Sequence, residues 1–167
     1  SFISKKKNNF PKFEDYPLDL WKKSIDINLT AGFLVARETS KFLKKSKGSL
    51  VFASSTYGIV GPDHRIYSGE KFKSIPAYSA SKAGIIGLTK WLATWLGKHS
   101  VRVNAVTPGG VYNNHTKKFF KNYSNRTPLK RMAEPDDLSG IILYLMSDSS
   151  SYATGQNFIV DGGYTAW

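Results

Sequence analysis

Apolar residues recur at near-helical spacing from Leu18 to about Ser46, with Leu20, Ile27, Leu34 and Phe42 on the repeat. The run "KKSKG" closes that segment with lysines and a glycine, so a helix is predicted over 18–46. "SLVFASS" (49–55) is a short, nearly continuous apolar run that ends in small hydroxyl residues, as a buried strand does. Residues 56–75 hold three glycines and a proline among polar residues and predict a long loop. Loops of that length in compact domains usually carry function or are disordered. "PAYSASKAGIIGLTKWLATWLG" (76–97) predicts a second helix, and "SVRVNAV" (100–106) a second strand cut off by "TPGG". Residues 111–133 read as an irregular basic stretch with helix around Lys117–Tyr123. Pro135, Asp136 and Asp137 open a helix to about Met146, since proline suits the first turn and carboxylates the amino end. "NFIVDGG" (157–163) predicts a third strand, and the first seventeen residues, polar and basic, a loop.

Helix–strand–helix–strand–helix–strand with apolar strands implies an α/β fold: a parallel sheet covered by helices on both faces. The 167 residues suffice for a single domain, 1–167, and no internal repeat divides them. No apolar run approaches the ~20 residues that span a bilayer, so no membrane role is expected. The chain has no cysteine, which excludes disulfides and thiolate catalysis and points to the cytoplasm. The formal charge of +12 gathers locally at Lys5-Lys6-Lys7, Lys44-Lys45 and Lys117-Lys118. It suits an anionic small molecule, an acidic partner or a polyanion surface. Solvated lysine faces near helix ends are the plainer reading, and nucleic acid is not the expected partner.

In parallel sheets of this kind, ligands sit beyond the carboxyl ends of the strands. Ser54-Ser55, "TPGG" and "DGG" all follow strand ends here. Tyr78 and Lys82, four residues apart, share one helix face. A phenol is a poor base at neutral pH, and an ammonium one turn away favours the phenolate. Ser55 is placed to hold a substrate oxygen beside it. Such a set moves a proton on or off an alcohol or carbonyl. Taken singly, each residue has a duller reading: a surface pair for Tyr78 and Lys82, a strand-end cap for Ser55.

Asn28 in "DINLTAGFL", Ser55 in "FASSTYG", Tyr78 and Lys82 in "YSASKAG", then "VRVNAVTPGG" and "TGQNFIVDGG" occur in that order. Together they closely resemble the short-chain dehydrogenase/reductase family, from about residue 18 to the end. The resemblance implies a Rossmann-like doubly wound sheet and hydride transfer between NAD or NADP and an alcohol or carbonyl. It makes Tyr78 the general acid/base and Lys82 the residue that favours its phenolate and holds the nicotinamide ribose. Ser55 orients the substrate oxygen, being three residues before Gly58 as in the family's S-x-x-G pattern. Asn28 bends its helix and holds a water in the proton relay. Pro108, Gly109, Gly110 and Val111 line the nicotinamide. Relatives are commonly dimers or tetramers built by the helices around Asn28 and Tyr78, so a homo-oligomer is expected, and no metal is implied.

Three departures qualify the resemblance. The glycine-rich turn that cradles a pyrophosphate has no counterpart in these residues, so the sequence corresponds to the C-terminal portion of the family's domain. The stretch between Ser55 and Tyr78 is longer than is usual, and His64, Arg65, Tyr67 and Lys71 within it are candidate contacts to an anionic or polyhydroxylated substrate. Asn113 stands where many members place the threonine that meets the cofactor carboxamide. The "IYSGEKFKSIPAYSASKAG" and "TPGGVYNN" runs look most like bacterial surface-sugar and flagellin-modification members, which points to a sugar-derived substrate. A 3-oxoacyl-carrier-protein reductase is the alternative enzyme, and a non-catalytic basic binding module the alternative of another class.

Overall fold

The computed structural model describes residues 11–167. The Lys5-Lys6-Lys7 cluster and most of the predicted N-terminal loop lie outside the described residues. Three parallel strands form one sheet in the order β1 (Ser49–Ala53), β2 (Arg102–Pro108), β3 (Asn157–Val160). Helices α1 (Leu18–Ile25) and α2 (Ala31–Ser46) precede β1, and α3 (Pro76–Leu96) joins β1 to β2. Helices α4 (Lys117–Arg126) and α5 (Ser139–Met146) lie between β2 and β3.

Strand alternation sorts the two faces. Leu50 and Phe52 of β1 and Val103 and Ala105 of β2 pack with Ala36 of α2 and Ile85, Leu92 and Leu96 of α3. On the opposite face, the Ser49 hydroxyl donates to the Leu145 carbonyl (2.7 Å), and the Arg102 guanidinium donates to the carbonyls of Leu145 (2.9 Å) and Ser147 (3.0 Å). Those bonds seat α5 on that face, so helices cover both sides as the alternation of elements implies.

The 18–46 helix is not continuous. Asp26–Thr30 forms a π turn between α1 and α2, with Asn28 at its centre. Nor is the predicted apolar stripe the buried one. Ile27, Leu34 and Phe42 stay exposed, while Ala36 is the residue of α2 sealed against the sheet. β2 starts two residues later than predicted and runs through Pro108, because pairing with β3 carries the ladder past Val106. β1 and β3 stop short of their predicted ends, at Ala53 and Val160. Pro135–Leu138 is a separate 3₁₀ turn before α5, closed by a reciprocal Glu134–Asp137 cap. The small residues of α3 serve packing within the chain: Ala77 and Ser81 are fully buried, and a Cβ at Gly84 would lie 2.6 Å from Leu29 Cδ2.

Candidate active site

A cavity of about 640 Å3 opens at the carboxyl ends of β1 and β2. Asn28, Ser55, Tyr78 and the Pro108–Val111 segment all line it. Four separate parts of the chain bring them there. The π turn interrupts the α-helical hydrogen-bond ladder at Asn28, whose side-chain amide donates to the Ser24 carbonyl (2.9 Å) and approaches the Ser24 hydroxyl (3.3 Å). Such turns widen a helix by one residue and are frequent at functional positions.

Ser54 and Ser55, adjacent in sequence, do different work. The buried Ser54 hydroxyl donates to the Lys82 carbonyl (2.8 Å), which fastens the end of β1 to α3. Ser55 is only half-buried and caps the turn Thr56–Gly58, its hydroxyl oxygen accepting the Tyr57 N–H at 3.3 Å. That bond occupies one lone pair and leaves the Ser55 proton for a ligand. Gly58 explains the tightness of the turn: a Cβ there would stand 2.7 Å from the Lys82 carbonyl carbon and 2.9 Å from the Ala83 nitrogen. The S-x-x-G spacing is therefore a close approach of backbone to backbone that sets Ser55 against α3.

Lys82 reaches back along the first turn of α3. Its ammonium donates to the Ala53 carbonyl at 2.8 Å and lies 5.7 Å from the centre of the Tyr78 ring. Burial pulls its pKa below the ordinary lysine value. Two further ammonium protons remain for other acceptors.

The opposite wall is aromatic. Tyr57, Tyr67, Phe72, Phe119 and Tyr123 line the cavity with Met132. Their rings contact one another, Tyr67–Phe72 at 5.7 Å, Tyr67–Phe119 at 5.4 Å and Phe72–Phe119 at 5.2 Å, all tilted or edge-on. The Tyr67 hydroxyl donates to the Tyr57 hydroxyl at 2.8 Å. Burial pushes both phenols up, Tyr67 to about 12 and Tyr57 further, so both stay protonated and act as neutral hydrogen-bonding groups. Tyr123 accepts the Gly110 N–H and stacks on Tyr164 at 5.0 Å, fixing the Pro108–Val111 segment from behind. No side chain would fit at Gly110, where a Cβ would lie 2.7 Å from the Tyr123 ring.

Of the loop residues expected at the site, Tyr67 lines this cavity, and His64 and Arg65 do not. His64 and Arg65 border a smaller depression of about 280 Å3 with Asp63, Arg126, Tyr164 and Trp167. Arg65 makes a two-pronged contact with Asp63 there (2.8 Å for each nitrogen), which holds the Asp63 carboxyl down at about 2. Lys71 is exposed and outside both linings. Asn113 is also exposed and outside the cavity lining, its backbone N–H donating to His115 Nδ1 at 3.2 Å. The sequence reading passed over Tyr57, Phe72, His115, Phe119 and Tyr123. The density of aromatic residues in 115–123 was the available signal.

Among the described residues, no cluster of His, Asp and Glu has the form of a metal site, and no helix is long and apolar enough to cross a membrane.

A family model described as "Enoyl-(Acyl carrier protein) reductase" matches residues 3–165. The chain is 40% identical over 153 residues to the trans-4-hydroxycyclohexanecarboxylate dehydrogenase of Sinomonas cyclohexanicum, covering 92% of this chain and 55% of that protein. It is 36% identical over 172 residues to the NADH-dependent L-xylulose reductase of Ambrosiozyma monospora, covering 95% of this chain and 59% of that one. Among solved structures, a short chain dehydrogenase from Leptospira borgpetersenii with bound NAD+ superposes with a TM-score of 0.86 at 38% identity, covering 94% of this chain and 61% of that one. The chain thus spans less than two thirds of the length of each of these relatives.

Proposed function

The chain belongs to the short-chain dehydrogenase/reductase family, and from that premise we propose that it serves an NAD- or NADP-dependent oxidoreductase acting on a secondary alcohol or its ketone. The observation that supports this reading most is convergence. Asn28, Ser55, Tyr78 and the Pro108–Val111 segment come from four parts of the chain and line one cavity at the strand ends.

The residues present fit the nicotinamide end of such a cofactor. Pro108–Val111 form one wall of the cavity that also holds Tyr78, and the Lys82 ammonium keeps protons for the ribose hydroxyls beyond its bond to Ala53. The nicotinamide would supply the hydride acceptor or donor. Tyr78 takes the proton from the alcohol oxygen in oxidation and returns it in reduction. Lys82 stabilises negative charge on that phenol oxygen through space. Ser55 donates to the substrate oxygen while its own oxygen is held by Tyr57 N–H. Asn28, at the π turn, is the residue that would hold the relay water. Asn113 takes no part in this scheme.

The substrate is a small polar ring or chain carrying a secondary hydroxyl, as a sugar-derived compound does. We place the protein in the cytoplasm and propose that it is a homo-oligomer, the oligomer being supported by the exposed Phe33, Val35 and Phe42 of α2 and Trp91 and Trp95 of α3. Light scattering on the purified protein tests the oligomer.

The activity test is absorbance at 340 nm with NAD+ and NADP+ across secondary alcohols, sugars and hydroxy acids. The proposal expects turnover with at least one cofactor and a loss of at least tenfold in Ser55→Ala. Turnover unchanged in Ser55→Ala would remove Ser55 from the site.

A further inference from the structure

Ser74 lines the same cavity as Tyr78 and takes no part in the proton transfer assigned to Ser55 and Tyr78. Its hydroxyl oxygen is buried and has no hydrogen-bond partner among the described residues. A hydroxyl removed from water without a partner is a standing cost, and folded chains keep few such groups. Nearby hydroxyls are committed to the fold: Ser54 donates to the Lys82 carbonyl, Ser81 to the Tyr78 carbonyl and Tyr67 to the Tyr57 hydroxyl, each at 2.8 Å. Ser74 differs from all three.

The chain fixes Ser74 from both sides. Two residues before it, Phe72 packs against Tyr67 (5.7 Å) and Phe119 (5.2 Å) in the aromatic wall. One residue after it, Ile75 is extended (φ −106°, ψ 146°), as a residue before proline prefers, and its carbonyl accepts the Tyr78 N–H at 3.1 Å. Ser74 thus joins the ring-lined wall to the turn that carries Tyr78, whereas the Pro108–Val111 wall comes from the end of β2. The hydroxyl can turn about χ1 to another staggered position without breaking a hydrogen bond.

We propose that Ser74 is a specificity-determining residue, its hydroxyl meeting a second, uncharged oxygen of the substrate while the reacting oxygen lies at Ser55 and Tyr78. A serine hydroxyl both donates and accepts, so a hydroxyl or a carbonyl oxygen satisfies it. The inference rests on the oxidoreductase reading of the same cavity and adds a second point of attachment to it.

Two measurements test it. Because the hydroxyl bonds to nothing in the protein, Ser74→Ala should leave the thermal midpoint unchanged or raise it. A lowered midpoint would show that the fold uses the hydroxyl and would overturn the proposal. The second measurement is calorimetry with NAD+ present, using cyclohexanol and the 1,2-, 1,3- and 1,4-cyclohexanediols as probes, which set a second oxygen at three distances from the first. At least one diol should bind about tenfold more tightly than cyclohexanol, the worth of one hydrogen bond to an otherwise unpaired group. Ser74→Ala should erase that advantage and leave cyclohexanol affinity unchanged. No preference for any diol, a preference that survives Ser74→Ala, or equal weakening of diol and cyclohexanol would overturn the proposal. Ser55→Ala reports on the underlying reading and should weaken all four probes alike. If it leaves them unchanged while the Ser74-dependent preference holds, the second contact stands and the alcohol-site reading fails.

Discussion

On one side of the cavity, Asn28, Ser55 and Tyr78 stand on a π turn, a strand end and the first turn of a long helix. On the other, Tyr57, Tyr67, Phe72 and Phe119 come from two 3₁₀ turns, a loop and a short helix. The first wall is fixed by backbone: Ser54 bonds to the Lys82 carbonyl, and Gly58 lets the turn touch α3. The second is fixed by ring-on-ring contacts and a phenol pair. In the proposed function, chemistry belongs to the stiff wall and selection to the ring-packed one. A reacting atom tolerates displacements of a fraction of an ångström, whereas a substrate body needs only a matching surface.

The largest effect expected from breaking this comparison is catalytic and silent in stability. Tyr78→Phe removes one hydroxyl and should lower turnover by about 10²–10⁴-fold, the usual weight of a general acid or base. Its denaturation midpoint should match that of the parent chain. Steady-state kinetics and a urea titration on the same preparation check both halves.

Phe119→Ala should do the reverse. Phe119 is buried and its ring touches Tyr67, Phe72, His115 and Tyr123. Its removal should destabilise the chain by about 3–5 kcal/mol, as truncation of a buried aromatic does. Chemical denaturation reads the loss.

Gly58→Ala probes the joint of the stiff wall. The new methyl would meet the backbone of Lys82 and Ala83, neither of which can turn away. A loss of about 1–3 kcal/mol is expected from overpacking. Turnover should fall as well, because Ser55 moves with the turn.

Tyr67→Phe should cost about 1 kcal/mol, the worth of the hydroxyl bond to Tyr57, with the ring contacts retained. An effect on substrate KM without one on kcat would sharpen the division between the walls.

The smallest effect lies outside the cavity, at Asp63. Hydrogen bonds from Arg65 hold its carboxyl at about 2, below the ordinary value near ~3.9. A lowered folded-state pKa means stability present above pH ~4 and lost as pH falls toward ~2. Arg65 is 87% exposed, so solvent screens the pair and its contribution to stability is small. Asp63→Asn should leave stability at pH 7 nearly unchanged and flatten its slope as pH falls from ~4 toward ~2. Asp137, held at about 2 by Arg131, accounts for part of the slope that remains.

The stiff wall was legible in the sequence because its parts obey spacing. Tyr78 and Lys82 are one helical turn apart, Ser55 ends an apolar strand, and "TPGG" stops the next one. The irregularity at Asn28 is legible only through the family resemblance, which implies a bend there, because an apolar repeat over 18–46 reads the same through a one-residue insertion. The aromatic wall was not legible. Tyr57, Tyr67, Phe72 and Phe119 follow no period, and only tertiary packing brings them together. His64 and Arg65 show the same limit from the other side. A charge in a long loop points somewhere, and here Asp63 draws Arg65 to the second depression rather than to Tyr78.

The central claim, that Tyr78 transfers the proton at this cavity, is tested most directly by isotope transfer. A secondary alcohol deuterated at its carbinol carbon is incubated with NAD+ and the protein, and deuterium at C4 of the nicotinamide is followed by NMR. The account predicts transfer by the parent chain and a loss of at least a hundredfold in Tyr78→Phe, with alcohol binding retained. Transfer at the same rate in both proteins would contradict it.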